Sequence, residues 1–240
     1  MSSQRLVLGV KGRPQLRLST SSGRITVTAE DRSDILIEAG APARDAIEVD
    51  SAGQVTLTSA KGGSAHLKVR CPTGTNVVAG TVSGTVELRG ELGQAHVTTV
   101  SGKIDVEGAE GLDIRTVSGS IEAGRCVGRC RLQTKSGRAT VGSAGEVDVS
   151  TISGRIRLGD ITGHVQVRTA SGKVEVGTQG KGDVTVETMS GAVVVKVPPG
   201  LRPTARLKSA SGEARCDCEE GADCRVAVRS ISGKIEVIPG

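Results

Sequence analysis

The chain has 240 residues, a formal net charge of +5, 34 glycines and no Phe, Tyr or Trp. An interior without aromatic rings must be filled by Val, Ile, Leu, Ala and Thr, which suits closely stacked strands. The same lack removes the stacking platforms that sugar-binding and single-strand nucleic-acid sites use. The 31 basic and 26 acidic residues are interleaved along the sequence, so no charged tail is present and a mixed-charge surface is expected.

Met1-Ser2-Ser3-Gln4-Arg5 leads directly into a strand-like segment, with no apolar run of the length that a signal peptide or membrane span requires. A cytoplasmic location is the expectation. Residues 1–80 are irregular: Ser22-Gly23-Arg24-Ile25-Thr26-Val27 and Ser51-Ala52-Gly53-Gln54-Val55-Thr56-Leu57 are related segments about 30 residues apart, read as wider N-terminal coils.

From residue 81 the pattern Thr-x-Ser-Gly-x-(Ile/Val)-x-(Val/Leu) becomes regular. Ser-Gly pairs begin at 83, 101, 118, 136, 153, 171, 190, 211 and 232. The steps are 17 or 18 residues, lengthening to 19 and 21. A short fixed period means stacked supersecondary units.

With each Ser as position 0, apolar residues recur at +3 and +5 (Ile104/Val106, Ile156/Leu158, Val174/Val176) and at −6 and −4 (Ala95/Val97, Val147/Val149, Val165/Val167). Period two defines strands with one buried face, so each coil carries at least two strands. Thr or Ser at −2 followed by an apolar residue at −1 gives two inward candidates in succession, predicting a corner that Gly at +1 allows. The −2 hydroxyls are expected to form a ladder, each donating to the next coil. Further glycines at −8 (Gly93, Gly128, Gly145, Gly163, Gly182) mark a second turn, and no Pro falls between Pro72 and Pro198.

The predicted architecture is therefore all-β: a single elongated, right-handed β-solenoid (β-helix) over 1–240, with 17–21 residues per coil. Its parts are irregular coils over 1–80, regular coils over 81–197 and longer coils over 198–240. The C-terminal strand, Ile235-Glu236-Val237-Ile238-Pro239-Gly240, is closed only by a proline and is expected to be an end able to receive another chain.

These coils, together with the strand-Pro-x-Gly punctuation at Val195-Lys196-Val197-Pro198-Pro199-Gly200 and Leu67-Lys68-Val69-Arg70-Cys71-Pro72-Thr73-Gly74, resemble the bacterial putative-adhesin family of β-strand-repeat proteins. The resemblance covers nearly the whole chain and implies the repeat fold in a family of largely unknown function. Bactofilins, cytoplasmic β-helices that polymerise end to end, are a looser likeness in coil length.

Few residues carry chemistry. Cys126 and Cys130 fall near inward columns and read as core thiols. Cys216 sits in the +5 column and is expected to be buried, while Cys218 and Cys224 bracket Glu219, Glu220 and Asp223. These three cysteines read as free thiols; a Cys218–Cys224 disulfide and a zinc site with an unassigned fourth ligand, for which they are the only candidates, are the alternatives. His66, His96 and His164 lie on different coils without carboxylate or cysteine neighbours at ligand spacing. The +2 column of Lys103, Arg138, Arg155 and Lys173 is mildly basic, but without aromatics no nucleic acid is expected.

No catalytic, cofactor-binding or metal residues are assigned, and no cofactor is expected. The reading is a non-enzymatic, adhesin-like scaffold or protein-interaction module with an unknown protein partner. End-to-end self-assembly into filaments or dimers is the alternative. A carbohydrate-active β-helix enzyme ranks below both, because paired acids on adjacent coils are missing.

Overall fold

The computed structural model describes residues 3–10, 12–40, 47–49, 54–58 and 64–240. Among them there is no helix. The strands are β1 (Ser3–Gly9), β2 (Gln15–Glu30), β3 (Asp34–Gly40), β4 (Ile47–Val49), β5 (Gln54–Thr58), β6 (Ser64–Pro72) and the long β7 (Asn76–Ile161), which runs through several turns of the repeat. They continue as β8 (Val165–Thr178), β9 (Val184–Ser190), β10 (Val193–Val197), β11 (Pro203–Ser211), β12 (Ala214–Cys216), β13 (Cys224–Ser232) and β14 (Ile235–Pro239). The chain divides into two compact units, Met1–Arg125 and Cys126–Gly240.

In both units the apolar columns read from the sequence are the core. Val86/Leu88 and Ile104/Val106 at +3/+5 are buried in the first unit, as are Ile156/Leu158, Val174/Val176 and Ile235/Val237 in the second. The −6/−4 pairs Ala95/Val97, Val147/Val149 and Val184/Val186 are buried with them. Parallel pairing holds these columns in register, with Val147 beside Val165 and Val165 beside Val184. Each side chain thus sits over its counterpart at the roughly 4.8 Å strand spacing.

The corner explains why Gly follows Ser in each of these coils. Gly154, Gly172, Gly191, Gly233 and Gly212 all have φ between 130° and 148°, a region L side chains rarely adopt. A Cβ on Gly172 would overlap the carbonyl oxygen of Gly154, and the same overlap recurs for Gly154 on Gly137, Gly191 on Gly172 and Gly233 on Gly191. The first unit repeats it, Gly84 on Gly23 and Gly102 on Gly84. Backbone therefore lies against backbone at these corners, and a side chain on any of these glycines has no room.

Two expectations about the corner are corrected. The −2 hydroxyls do not run as a ladder from coil to coil. Thr20, Thr99, Thr134, Thr151, Thr169 and Thr188 each donate to the carbonyl of the Ser two residues on, in their own coil, at 2.8–3.3 Å. The bend brings that carbonyl within reach of the buried Thr, so the bond closes locally. The −1 residues, expected inward, point out: Val82, Val100, Val117, Ile152, Met189 and Ile231 are all exposed. The alternation −6, −4, −2 simply continues, which puts −1 on the outside, and the corner shifts the phase before +3.

Spatial order also departs from chain order, in each unit separately. In the first, β2 lies between β7 on one side and β5 and β6 on the other, all parallel. Val55 and Leu57 pair with Leu16 and Leu18, so β5 is the strand before a corner, and the corner itself falls on Ser64-Ala65, beside Ser22-Gly23. The assignment of Ser51-Ala52-Gly53 as a corner lies outside the described residues, but Gln54-Val55-Thr56-Leu57 does not occupy the +3/+5 columns that it implied. Beyond β6 the sheet continues antiparallel through β3 to β1, and β4 joins β5 antiparallel. These elements are not wider parallel coils stacked in chain order.

In the second unit β14 lies between β10 and β12, and β13 between β9 and β11. The last coil in sequence is thus the second-last in space. The C-terminal strand expected to be an open end is paired on both sides, and the strands with one neighbour are β11 and β12.

Two measurements check the corner. Gly172→Ala combines a disfavoured φ with backbone overlap, and should destabilise the protein by about 2–4 kcal/mol in urea unfolding. Thr151→Val removes a made hydrogen bond and should cost about 1 kcal/mol, whereas Thr116→Val removes a buried hydroxyl that has no hydrogen-bond partner and should be neutral or stabilising. Equal losses at the two threonines would contradict the local bonding.

Candidate functional site

The outward −1 side chains form the most distinctive surface of the molecule. In the second unit Ile152, Met189 and Ile231 are 57%, 58% and 56% exposed, with half-buried Ala170 between Ile152 and Met189. Their order follows from pairing: Thr151, Thr169, Thr188 and Ser230 lie side by side on consecutive strands. The four residues that follow them therefore make a single file about 14 Å long at the strand spacing. In the first unit Val82, Val100 and Val117 occupy the same position on coils stacked in that order. Soluble chains commonly scatter single exposed aliphatics; here they stand in a row.

Charged columns flank the row in the second unit. At +2 stand Arg138, Arg155, Lys173 and Lys234, and at −3 stand Arg168, Glu187 and Arg229, all exposed. Lys173 and Lys234 are tied to carboxylates at +4, Lys173 to Glu175 at 2.6 Å and Lys234 to Glu236 at 2.8 Å. Arg157 reaches the same Glu175 at 3.0 Å. The Lys173 ammonium foremost, with the Arg157 guanidinium, pulls the Glu175 carboxyl down to about 2. Arg138, Arg155 and Arg229 make no ion pair among the described residues. Of the +2 column read as mildly basic, Arg138, Arg155 and Lys173 lie in this unit, while Lys103 in the first unit is paired with Glu122 at 2.9 Å.

The cysteine candidates are placed differently from the sequence reading. Cys216 is in the +5 register beside Val237 yet exposed, Cys218 is half-buried and Cys224 buried. The outermost coil has nothing stacked over its mouth, so an inward column there still meets solvent. Burial, then the neighbouring Cys216, pushes the Cys218 thiol up to about 11, and burial raises Cys224. Among the described residues no group of three or more His, Cys, Asp or Glu is arranged to hold a metal ion. Cys126 and Cys130 are buried; contact with Cys126 together with burial pushes Cys130 well above the ordinary thiol range.

His66 and His164 are exposed. His96, read as lacking a carboxylate neighbour, stands 3.6 Å from Asp113 of the next coil, because stacking brings together residues 17 apart. A cleft of about 500 Å³ opens elsewhere on the second unit, lined by Arg157, Asp160, Glu175, Gln179 and Lys196 among others. Its polar groups largely satisfy one another, Arg157 with Glu175 and Gln179 with Asp160 at 3.0 Å, leaving little to engage a ligand.

The geometry has relatives. A putative adhesin from Parabacteroides distasonis has a TM-score of 0.59 at 14% identity, over 98% of this chain and 97% of its own. A putative adhesin from Parabacteroides merdae has a TM-score of 0.55 at 12% identity, over 98% and 95%. At these identities the likeness is one of fold. No curated protein matches the sequence. The model of the family described as Toastrack DUF4097 matches residues 15–237, and the chain belongs to that family.

Proposed function

We propose that this protein is a non-catalytic scaffold whose corner ridge is its binding surface. The family is one of unknown function, and two solved structures of similar fold carry the name putative adhesin. What supports the reading is the row of −1 side chains: the corner places an aliphatic group outward at Val82, Val100 and Val117 in the first unit and at Ile152, Ala170, Met189 and Ile231 in the second, with Lys135 at −1 in the coil of Ser136, at a cost in exposed apolar surface that folding does not require. Polar residues at −1 would leave the core untouched, since −2, +3 and +5 carry it. A photoreactive benzoylphenylalanine in place of Met189 should give cross-linked adducts in the native cell, and the same group in place of Arg129, on another column of the second unit, should not. Absence of adducts at both positions, or equal yields, would contradict the ridge as the binding surface.

A second reading, self-association, rests on β11 and β12, which have a strand neighbour on one side only. Such edges invite pairing with another chain. Light scattering should then show the mass rising with concentration for the wild type and staying monomeric for Leu207→Lys. A wild type that is monomeric throughout would remove it.

A further inference from the structure

The ridge of the second unit, built on the binding surface proposed above, has a shape and charge that select among partners. We propose that the row Ile152–Ala170–Met189–Ile231 docks on an anionic lipid bilayer, its aliphatic side chains entering the interface while Arg155 and Arg229 beside it, unpaired among the described residues, meet lipid phosphates.

Three observations converge. The apolar side chains stand in single file on a bend, each more than half exposed except Ala170, so they project and offer no groove in which a peptide would seat. Cations border the file on both sides: Arg155, Lys173 and Lys234 at +2, Arg168 and Arg229 at −3, with Glu187 the one acid among these columns on the same four coils. Glu187 is itself held by Arg168 at 3.5 Å, while Arg155 and Arg229 make no ion pair among the described residues. Lys135 and Arg138 extend the same sign onto the coil beside Ile152, while on the coil beyond Ile231 exposed Lys208 stands at −3 and exposed Glu213 at +2. Long cationic stems lie along apolar surface and place their charge at its margin, the arrangement that lets a protein rest in a headgroup layer.

The same charges disfavour the other occupants. A second copy of the chain, ridge to ridge, would bring one cationic border against another. Zwitterionic lipid would satisfy the aliphatic row but not Arg155 and Arg229. An anionic bilayer satisfies both.

The absence of aromatic residues from this chain supplies a clean reporter. Met189→Trp introduces one fluorophore on the ridge, and Arg129→Trp introduces one on another column of the same unit. With vesicles of phosphatidylcholine containing 30% phosphatidylglycerol, the Trp at 189 should shift to the blue and be quenched by brominated acyl chains, and the Trp at 129 should do neither. In co-sedimentation, a variant carrying Ile152→Ser, Met189→Ser and Ile231→Ser should bind the same vesicles at least tenfold more weakly. Arg155→Ser with Arg229→Ser should lower both the affinity and its salt dependence. All four side chains that are truncated to serine in the apolar and basic sets beyond Met189 are exposed, so unchanged unfolding midpoints will show that the fold is kept.

No shift at 189, an equal shift at 129, binding indifferent to the triple variant, or equal binding to pure phosphatidylcholine would each overturn the lipid proposal. Binding of Met189 to a protein in the photocross-linking experiment, with no vesicle binding, would overturn it while leaving the scaffold reading in place. Failure of both would remove the ridge as a functional surface.

Discussion

Everything in either unit follows from how closely one coil lies on the next at the Ser-Gly corner. There the backbone of each glycine approaches the carbonyl of the glycine beneath it so nearly that a methyl group has no room. Once that contact is made the register of both flanking strands is fixed, because Thr at −2 bonds across the bend to the Ser carbonyl and the apolar pairs before and after it must superpose on those of the neighbour. A solenoid of small aliphatics has little depth of core, and its stability resides in these interfaces between coils more than in any coil alone. The positive φ of the glycines, the buried threonines and the outward −1 residues are three consequences of one bend.

The strand columns were legible because period two is a strong signal and the corner interrupts it at the same place each time. Ile156, Leu158, Val147 and Val149 could be assigned inward from spacing alone, and the structure buries them. The outward course of −1 was legible too, and was missed: extending the alternation from −6 and −4 through buried Thr151 sends Ile152 to solvent, whereas reading apolar as inward sent it to the core. Hydrophobicity and phase disagreed at that residue, and phase won. The local bond of Thr151 to the Ser153 carbonyl was not legible, since nothing in the spacing says where a corner carbonyl turns.

What the sequence concealed most is the order of coils. Local spacing carries no information about which coil lies beside which, and the pattern at 203–216 resembles that at 224–239 closely enough to suggest stacking in chain order. Pairing puts 224–239 inside and 203–216 outside. A hint was present in composition: Ala205, Ala214 and Cys216 stand in columns where β13 and β14 have Val226, Ile235 and Val237, so the weaker core residues belong to the coil with one neighbour. The exposure of Cys216 follows from the same fact. In functional terms, chemistry-bearing residues are dispersed along the stack and their neighbours mostly neutralise them, as Lys173 and Arg157 do Glu175. The surface that repeats without such pairing is the crest of the corner, largely apolar, with Arg155 and Arg229 at its margins in the second unit unpaired among the described residues.

Hydrogen–deuterium exchange across the last two coils bears most directly on this stacking. With β13 and β14 held between neighbours, peptides covering Val226–Ile238 should exchange as slowly as those covering Val184–Val195, and Pro203–Cys216, earlier in the sequence, should exchange faster. Protection that instead falls steadily from β9 through β11 to β14 would mean that the coils stack in chain order, and the corner contacts described for the second unit would be wrong.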